Sequence, residues 1–171
     1  MGQDDTKHNL LFISKYPEII HEFTDAMKDR DIEIDTAING IEAAAKIKKK
    51  NYDIVITGLS LEGFNGEQII TYLNKTAPST VCIIYTTTIS SAQLHFFINE
   101  RNVFRVFLRP VDFRGAFWEA LEEAYEYHAV QVKNEEDTGA RRQEQEKQER
   151  EIEIMDQRMR SQRQALSLIH I

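Results

Sequence analysis

The chain has 171 residues, of which 42% are hydrophobic, and its formal net charge at pH 7 is −7. This length allows one domain with an extension but not two full domains, and the negative charge argues against general nucleic-acid binding. The single cysteine, Cys82, excludes an intramolecular disulfide and a cysteine metal cluster, so we expect a reducing, cytoplasmic location. No apolar run reaches the length of a membrane span, so we expect no membrane association.

The apolar pattern predicts five short strands that alternate with five helices. After a polar tail at residues 1–8, which we expect to be disordered, strands are predicted at 9–13, 32–37, 54–57, 80–86 and 104–108. Helices are predicted at 17–27, 41–50, 67–75, 91–101 and from about residue 112, with Asp112 as the N-cap of the last one. This alternation predicts a flavodoxin-like, doubly wound parallel sheet with helices on both sides.

Apolar residues at helical spacing mark two of these helices most clearly. In the second helix they are Ile41, Ala44, Ala45 and Ile47. In the last helix they share one face, which we expect to be buried: Phe117, Leu121, Ala124, Tyr125 and His128.

The segment DIVITGLSLEGFNG at 53–66 is the centre of the predicted domain. Its residues 54–57 are apolar or β-branched without alternation, which is typical of a strand covered on both faces of a parallel sheet. A strand, a loop and a helix in this order place functional groups at the carboxyl edge of such a sheet. The residue that closes this strand is Gly58, which has no side chain to react.

The composition changes beyond residue 130, where a charged helical linker is predicted at 131–165. Residues 134–140 (NEEDTGA) are expected to interrupt the helix. Ile152, Met155 and Met159 have the spacing of a heptad seam, but too few apolar residues follow it to predict more than a weak coiled coil. The last six residues, LSLIHI, match the translated end of a transposase-based sequencing adapter, so we interpret 166–171 as an assembly scar.

Over about residues 9–130 the chain resembles the receiver domain of bacterial two-component response regulators. LLFISKYP lies where that family has its first strand and an acidic pair, and DIVITGLSLEGFNG lies where strand 3 ends in Asp and a loop closes at Gly, here Gly66. IIYTT ends strand 4 with the hydroxyl residue Thr86. FINERNVFRVFLRPVD is similar to a subgroup in which this segment ends in Lys-Pro.

The resemblance implies phosphoryl transfer to an Asp with the help of Mg²⁺, yet the positions that carry this chemistry are altered. They are, in chain order, Ser14, Lys15, Gly58, Glu62, Thr86 and Arg109. Asp53 is five residues from Gly58 on the same strand, about 16 Å away, and cannot substitute for the missing carboxylate. We therefore expect a degenerate pseudo-receiver without catalytic residues, without a cofactor and without Mg²⁺ binding.

Lys15 and Arg109 would make the pocket around Gly58 positively charged. Three arrangements are open. Glu62 could fold back on one of these cations, the pocket could hold a small anion against them and Thr86, or both cations could point to water. No phosphate-binding glycine motif occurs, and the five histidines lack metal-ligand spacing.

In the receiver family the surface of helix 4, strand 5 and helix 5 is where domains pair. The interface candidates here are Phe96, Arg101, Arg105, Trp118 and Glu122. The function expected from the resemblance is a phosphorylation-independent, non-enzymatic signalling module that acts through a protein partner or a homodimer. It would pass a signal through its C-terminal helix to an output domain absent from this sequence. The alternatives are a small-anion or ligand sensor, and a phosphorylatable regulator if the register at Gly58 is wrong.

Overall fold

A computed structural model describes the backbone of residues 8–169 and the side chains of residues 8–163. The chain divides into two compact units, the first ending at Gln131 and the second beginning at Val132. The predicted disordered tail lies outside the described residues except for His8, and the side chains of the proposed scar at 166–171 also lie outside them. Within the described part, no helix is both long enough and apolar enough to cross a membrane.

The first unit contains five parallel strands and the helices that connect them. The strands are β1 His8–Ile13, β2 Ile32–Ala37, β3 Ile54–Thr57, β4 Val81–Thr86 and β5 Val103–Leu108. The helices are α1 Pro17–Met27, α2 Gly40–Lys49, α3 Gly66–Thr76, α4 Ser91–Glu100 and α5 Ala116–Ile169. Only the part of α5 up to Gln131 belongs to the first unit. The strand order is β2-β1-β3-β4-β5, which confirms the predicted flavodoxin-like, doubly wound sheet.

The two faces of the sheet carry two separate apolar clusters. Along β3, Ile54 and Ile56 face one cluster together with Phe23 of α1 and Phe117 of α5. Val55 faces the other cluster, with Ile69 among the residues on that side. Since both faces are covered, β3 has no solvent side, and this explains its apolar run without alternation.

The beginning of α5 differs from the prediction, and so does its middle. The helix begins at Ala116, because residues 113–115 form a turn in which the Arg114 amide donates to Asp112 Oδ1 at 3.0 Å. The predicted interruption at 134–140 is wrong, since α5 is continuous through it. A single Gly139 costs a helix only about 1 kcal/mol, and the neighbouring Glu, Arg and Gln residues are good helix formers.

The orientation of α2 is set by Gly40, which lies directly against the loop after β3. A Cβ atom at Gly40 would overlap the Phe64 backbone, and the Gly40 amide donates to the Glu62 carbonyl at 2.9 Å. This contact turns Gly40, Ala43 and Ile47 inward. Ile41 is therefore 63% exposed, and Ala45 is also exposed.

The loop between β3 and α3 is closed by a second contact between backbones. The Gly66 amide donates to the Leu59 carbonyl at 3.0 Å. A Cβ atom at Gly66 would overlap the Gly58 carbonyl oxygen, so the first turn of α3 can approach β3 only when residue 66 is glycine.

We expect Gly66→Ala to lower the free energy of unfolding of the first unit by about 1–3 kcal/mol, because the new methyl group must push α3 away from β3. The fluorescence of the single tryptophan, Trp118, during urea unfolding measures this. Gly139→Ala is the matched control, because nothing lies within 4 Å of a Cβ atom there. Equal urea midpoints for the two variants would contradict the packing constraint at Gly66.

Candidate functional site

Backbone hydrogen bonds bring four strand ends together at the carboxyl edge of the sheet. The Gly58 amide donates to the Ile13 carbonyl at 3.0 Å, and the Arg109 amide donates to the Thr86 carbonyl at 2.8 Å. The result is an open cleft of about 80 Å³, large enough for several water molecules. Its lining residues are Ser14, Lys15, Tyr16, Gly58, Leu59, Ser60, Tyr85, Thr86, Thr87 and Arg109.

Five of the six positions predicted from the resemblance therefore lie in one cleft. The exception is Glu62, whose exposed side chain does not line the cleft. Within residues 8–163, no ion pair joins it to Lys15 or Arg109. The hypothesis that Glu62 folds back onto one of these cations is wrong in this structure. The physical reason is that the Glu62 carbonyl is bound to the Gly40 amide, which fixes its loop against α2.

The two cations of the cleft share one aromatic ring. Lys15 Nζ lies 5.3 Å and the Arg109 guanidinium 4.7 Å from the centre of the Tyr16 ring. Lys15 Nζ also donates to Ser60 Oγ at 3.3 Å. Neither cation pairs with a carboxylate in the part of the chain described, so the cleft carries two positive charges that only neutral groups contact.

The hydroxyl groups of Ser14 and Thr86 differ in how available they are to bind a ligand in the cleft. Ser14 is buried, and its Oγ accepts a hydrogen bond from the Tyr16 amide at 3.2 Å, so it shapes the entry into α1. Thr86 is partly exposed, and its Oγ1 donates to the Thr88 carbonyl at the long distance of 3.4 Å. Thr86 is therefore the hydroxyl that is better placed to bind something in the cleft.

Gly58 is not required by packing. A Cβ atom there would lie 3.7 Å from the Tyr85 carbonyl oxygen and 3.9 Å from the Ile13 carbonyl oxygen, which are ordinary contacts. Its backbone is also outside the left-handed region that favours glycine, unlike that of Gly63 at φ 78°. A side chain at position 58 would fit and would open into the cleft.

Sequence reasoning missed the two tyrosines of the cleft. Tyr85 packs against Phe113 with ring centres 5.3 Å apart, so it connects the cleft to the aromatic core. Burial raises the pKa of the Tyr85 phenol, and the charge of Arg109 offsets part of that rise. Tyr85 lies in a strand, where a tyrosine is usually interpreted as a core residue. For Tyr16, the only sequence feature that could have indicated a role was its position before Pro17.

Mg²⁺ is ordinarily held in proteins through one or two carboxylates. The residues that line the cleft supply hydroxyl groups, backbone carbonyls and two cationic side chains, but no carboxylate. They do not fit this ion. Among the described residues, no group of three or more His, Cys, Asp or Glu side chains could hold a metal ion.

The five interface candidates do not share one surface. Phe96, Arg101 and Arg105 lie on the side of α4 and β5, where the Arg101 guanidinium is 4.8 Å from the Phe96 ring centre. Trp118 instead faces Arg30, at 4.3 Å, and Glu122 lines the same groove as Trp118.

The assignment of Trp118 and Glu122 to the surface of α4, β5 and α5 was therefore wrong. The α5 residues on the β5 side are Glu123, which pairs with Arg105 at 2.7 Å, and Tyr127, whose ring packs against Phe104 at 5.1 Å. The surface also presents exposed apolar side chains, namely Leu94, Ile98 and Leu108.

The five-stranded parallel sheet with a cleft at its carboxyl edge is the architecture that the resemblance implies, and comparisons with known proteins agree. The family model for the response regulator receiver domain matches residues 11–115, so the chain belongs to this family. A comparison with curated proteins found no match.

Solved structures share the fold at low sequence identity. The signal receiver domain of an HD domain-containing protein from Pseudomonas fluorescens Pf-5 is 19% identical, with a TM-score of 0.68 over 72% of this chain and 98% of that one. A CheY-like receiver protein from Methanospirillum hungatei JF-1 is 18% identical, with a TM-score of 0.66 over 73% and 99%. An adenylate cyclase from Rhodopirellula baltica is 19% identical, with a TM-score of 0.69 over 76% and 96%.

The positive cleft predicts that an acidic side chain at position 58 is favoured over its neutral isostere. We expect Gly58→Asp to be more stable than Gly58→Asn by about 0.5–1 kcal/mol at low salt. The cations lower the pKa of an Asp placed there, so this advantage holds above about pH 4 and disappears as the pH falls through the folded-state pKa. Urea unfolding of both variants across pH measures it. An Asn variant that equals or exceeds the Asp variant at neutral pH would contradict a positively charged cleft.

Proposed function

We propose that this receiver domain signals without being phosphorylated, through contacts with a protein partner or a second copy of itself. The observation that carries the proposal is the residue at the end of β3. Gly58 occupies the position where the resemblance to receiver domains places the phosphoacceptor Asp, inside a cleft formed by the other strand ends. A cleft in this position without an acceptor supports binding functions rather than group transfer.

The neighbouring substitutions support the same proposal. Phosphoryl transfer to a carboxylate requires a nucleophilic oxygen, a metal ion that neutralises the transferring oxygens, and a cation near them. Of these three requirements, the residues that line the cleft meet only the last, through Arg109 and Lys15, and they also supply the hydroxyl of Thr86. Asp53 belongs to the opposite edge of the sheet, where its carboxylate contacts His128, so it is not available as an acceptor.

A surface for a partner is available on α4 and β5. Leu94 and Ile98 of α4 and Leu108 of β5 are each at least 40% exposed, and Arg105 of β5 is exposed as well. Exposed apolar and charged side chains on two elements that contact each other fit a protein interface. In α5, Ile152, Met155 and Met159 are also exposed, which supports a second route to pairing through the linker.

We propose that α5 carries the signal toward an output domain or a partner. Two of the matched structures are the signal receiver domain of an HD domain-containing protein and an adenylate cyclase, so this fold occurs in proteins with different activities. In the present protein the module itself would be non-enzymatic, would need no metal and would act in the cytoplasm.

A small-anion sensor is the second candidate, and the pair of cations in the cleft favours it. Lys15 and Arg109 contact the Tyr16 ring rather than a carboxylate. Such contacts at exposed sites are worth only about 0.5–1 kcal/mol each, so an oxyanion in the cleft could displace them. Thr86 would then donate its hydroxyl to the same anion.

Acetyl phosphate with Mg²⁺ tests the main proposal directly. We expect the intact mass of the wild-type protein to stay unchanged. A variant with Ser14→Asp, Lys15→Asp, Gly58→Asp and Arg109→Lys is expected to gain one phosphoryl group, because the fold already places these positions together. The same variant without Gly58→Asp is the control and should gain none. A phosphoryl group on the wild-type protein would contradict the proposal.

Inorganic phosphate, with sulfate as a second probe, tests the anion candidate. If the cleft binds an oxyanion, phosphate raises the melting temperature of the wild type, and it shifts the amide resonances of Gly58 and Arg109. Arg109→Gln should remove both effects, whereas Arg114→Gln, on the exposed turn before α5, should leave them intact. No shift at Gly58 or Arg109 at millimolar phosphate would eliminate this candidate.

A further inference from the structure

The amino-terminal edge of the sheet holds a cluster of ionisable groups that the cleft does not involve. Asp53 precedes β3, and its carboxylate lies 3.1 Å from His128 Nε2 and 3.7 Å from His8 Nδ1. The Asn9 amide donates to the same carboxylate at 3.3 Å. The side chains of His128 and Asp53 are only 17% and 26% exposed, so solvent screens this pair less than a surface ion pair.

The contacts of His128 determine its protonation state. Its Nδ1 lies 2.9 Å from the Ser79 carbonyl oxygen, and its Nε2 lies 3.1 Å from the Asp53 carboxylate. Carbonyl and carboxylate oxygens accept hydrogen bonds but cannot donate them, so each ring nitrogen must carry a hydrogen. Histidine with two N–H groups is an imidazolium cation, and His128 and Asp53 therefore form a charged pair.

The same contacts act on the carboxylate. Burial raises the pKa of Asp53, but the hydrogen bond and charge of His128, the hydrogen bond from the Asn9 backbone and the charge of His8 together hold that pKa below its usual value. The ionised form of Asp53 is thus favoured, and it persists through the range in which histidine titrates.

This cluster fixes the last turns of α5 within the first unit. The Tyr125 hydroxyl donates to the Asn9 carbonyl at 3.0 Å, and the Tyr125 ring stacks on His8 at 4.2 Å. His128, one turn further along α5, contacts the segments before β3 and β4 through Asp53 and Ser79. The titratable groups that face it or flank His8 are Asp53, His8, Tyr125, Asp31, Glu122 and Glu126.

We propose that His128 is a proton-dependent latch that holds α5 against the amino-terminal edge of the sheet. When the imidazolium loses one proton to solvent, a single N–H remains for two acceptors, and the attraction to Asp53 becomes a weaker neutral contact. The latch is closed while His128 is charged and Asp53 is ionised. It weakens as the pH rises through the titration of His128, and also in acid, below the lowered pKa of Asp53. This device does not depend on the proposed function of the cleft.

The ring nitrogens of His128 provide the first test, in the full chain labelled with ¹⁵N. At neutral pH we expect chemical shifts of an imidazolium with both nitrogens protonated. In Asp53→Asn we expect a neutral ring at the same pH. A neutral tautomer in the wild type at pH 6 to pH 7, about where free histidine titrates, would overturn the proposal.

Stability across pH provides the second test, with variants at two histidines. Between about pH 6 and about pH 9, the unfolding constant of the wild type should rise about tenfold more than that of His128→Gln. His95→Gln, on exposed α4, is the matched control and should follow the wild type. Parallel pH profiles for wild type and His128→Gln would overturn the latch. If His128→Gln does not fold, the ¹⁵N chemical shifts of the His128 ring in the wild type test the proposal by themselves.

Discussion

The parallel register of β1, β3, β4 and β5 is the constraint on which the molecule depends. Because the strands run in the same direction, their carboxyl ends meet at one edge and their amino ends at the other. The bonds from Gly58 to Ile13 and from Arg109 to Thr86 are made by backbone atoms alone. These bonds do not require particular side chains, so the chemistry of the cleft can change while the fold remains.

The cleft illustrates this separation between fold and chemistry. Gly66 and Gly40 are required by the close approach of backbones, whereas Gly58 has space for a side chain. Gly40 and Gly66 are therefore needed for the fold, whereas Gly58 affects only which chemical groups the cleft contains. With Gly58, Lys15 and Arg109 in its lining, the cleft contains no carboxylate side chains, and so it lacks the repulsion between carboxylates that a metal ion relieves. Lys15 and Arg109 contact the neutral Tyr16 ring instead of a carboxylate.

The sequence predicted the strands, the flavodoxin-like class of the sheet and five residues of the cleft, because these depend on local apolar patterns and on family spacing. It could not predict which side of α5 faces β5. Successive helix residues differ by about 100° in direction, so choosing Glu122 instead of Glu123 is enough to select a different surface. The prediction that residues 134–140 interrupt the helix was wrong because the Glu, Arg and Gln residues around Gly139 favour a helix more than the single glycine disfavours it. The pairing of Asp53 with His128 had no local signal, since only the tertiary fold brings β3 and α5 together.

The two edges of the sheet are connected by α5, because this helix contacts both. Near its beginning, Phe117 packs against Tyr85, which lines the cleft, with ring centres 6.0 Å apart. Three turns later, His128 is held by Asp53 and Ser79 at the opposite edge. Because the rings of Tyr85 and Phe117 are in contact, we expect a ligand that displaces Tyr85 to push on α5, and we expect the His128 contacts to limit how far the helix follows. If His128 acts as the latch proposed above, its protonation at one edge of the sheet sets how far α5 responds to binding at the other edge.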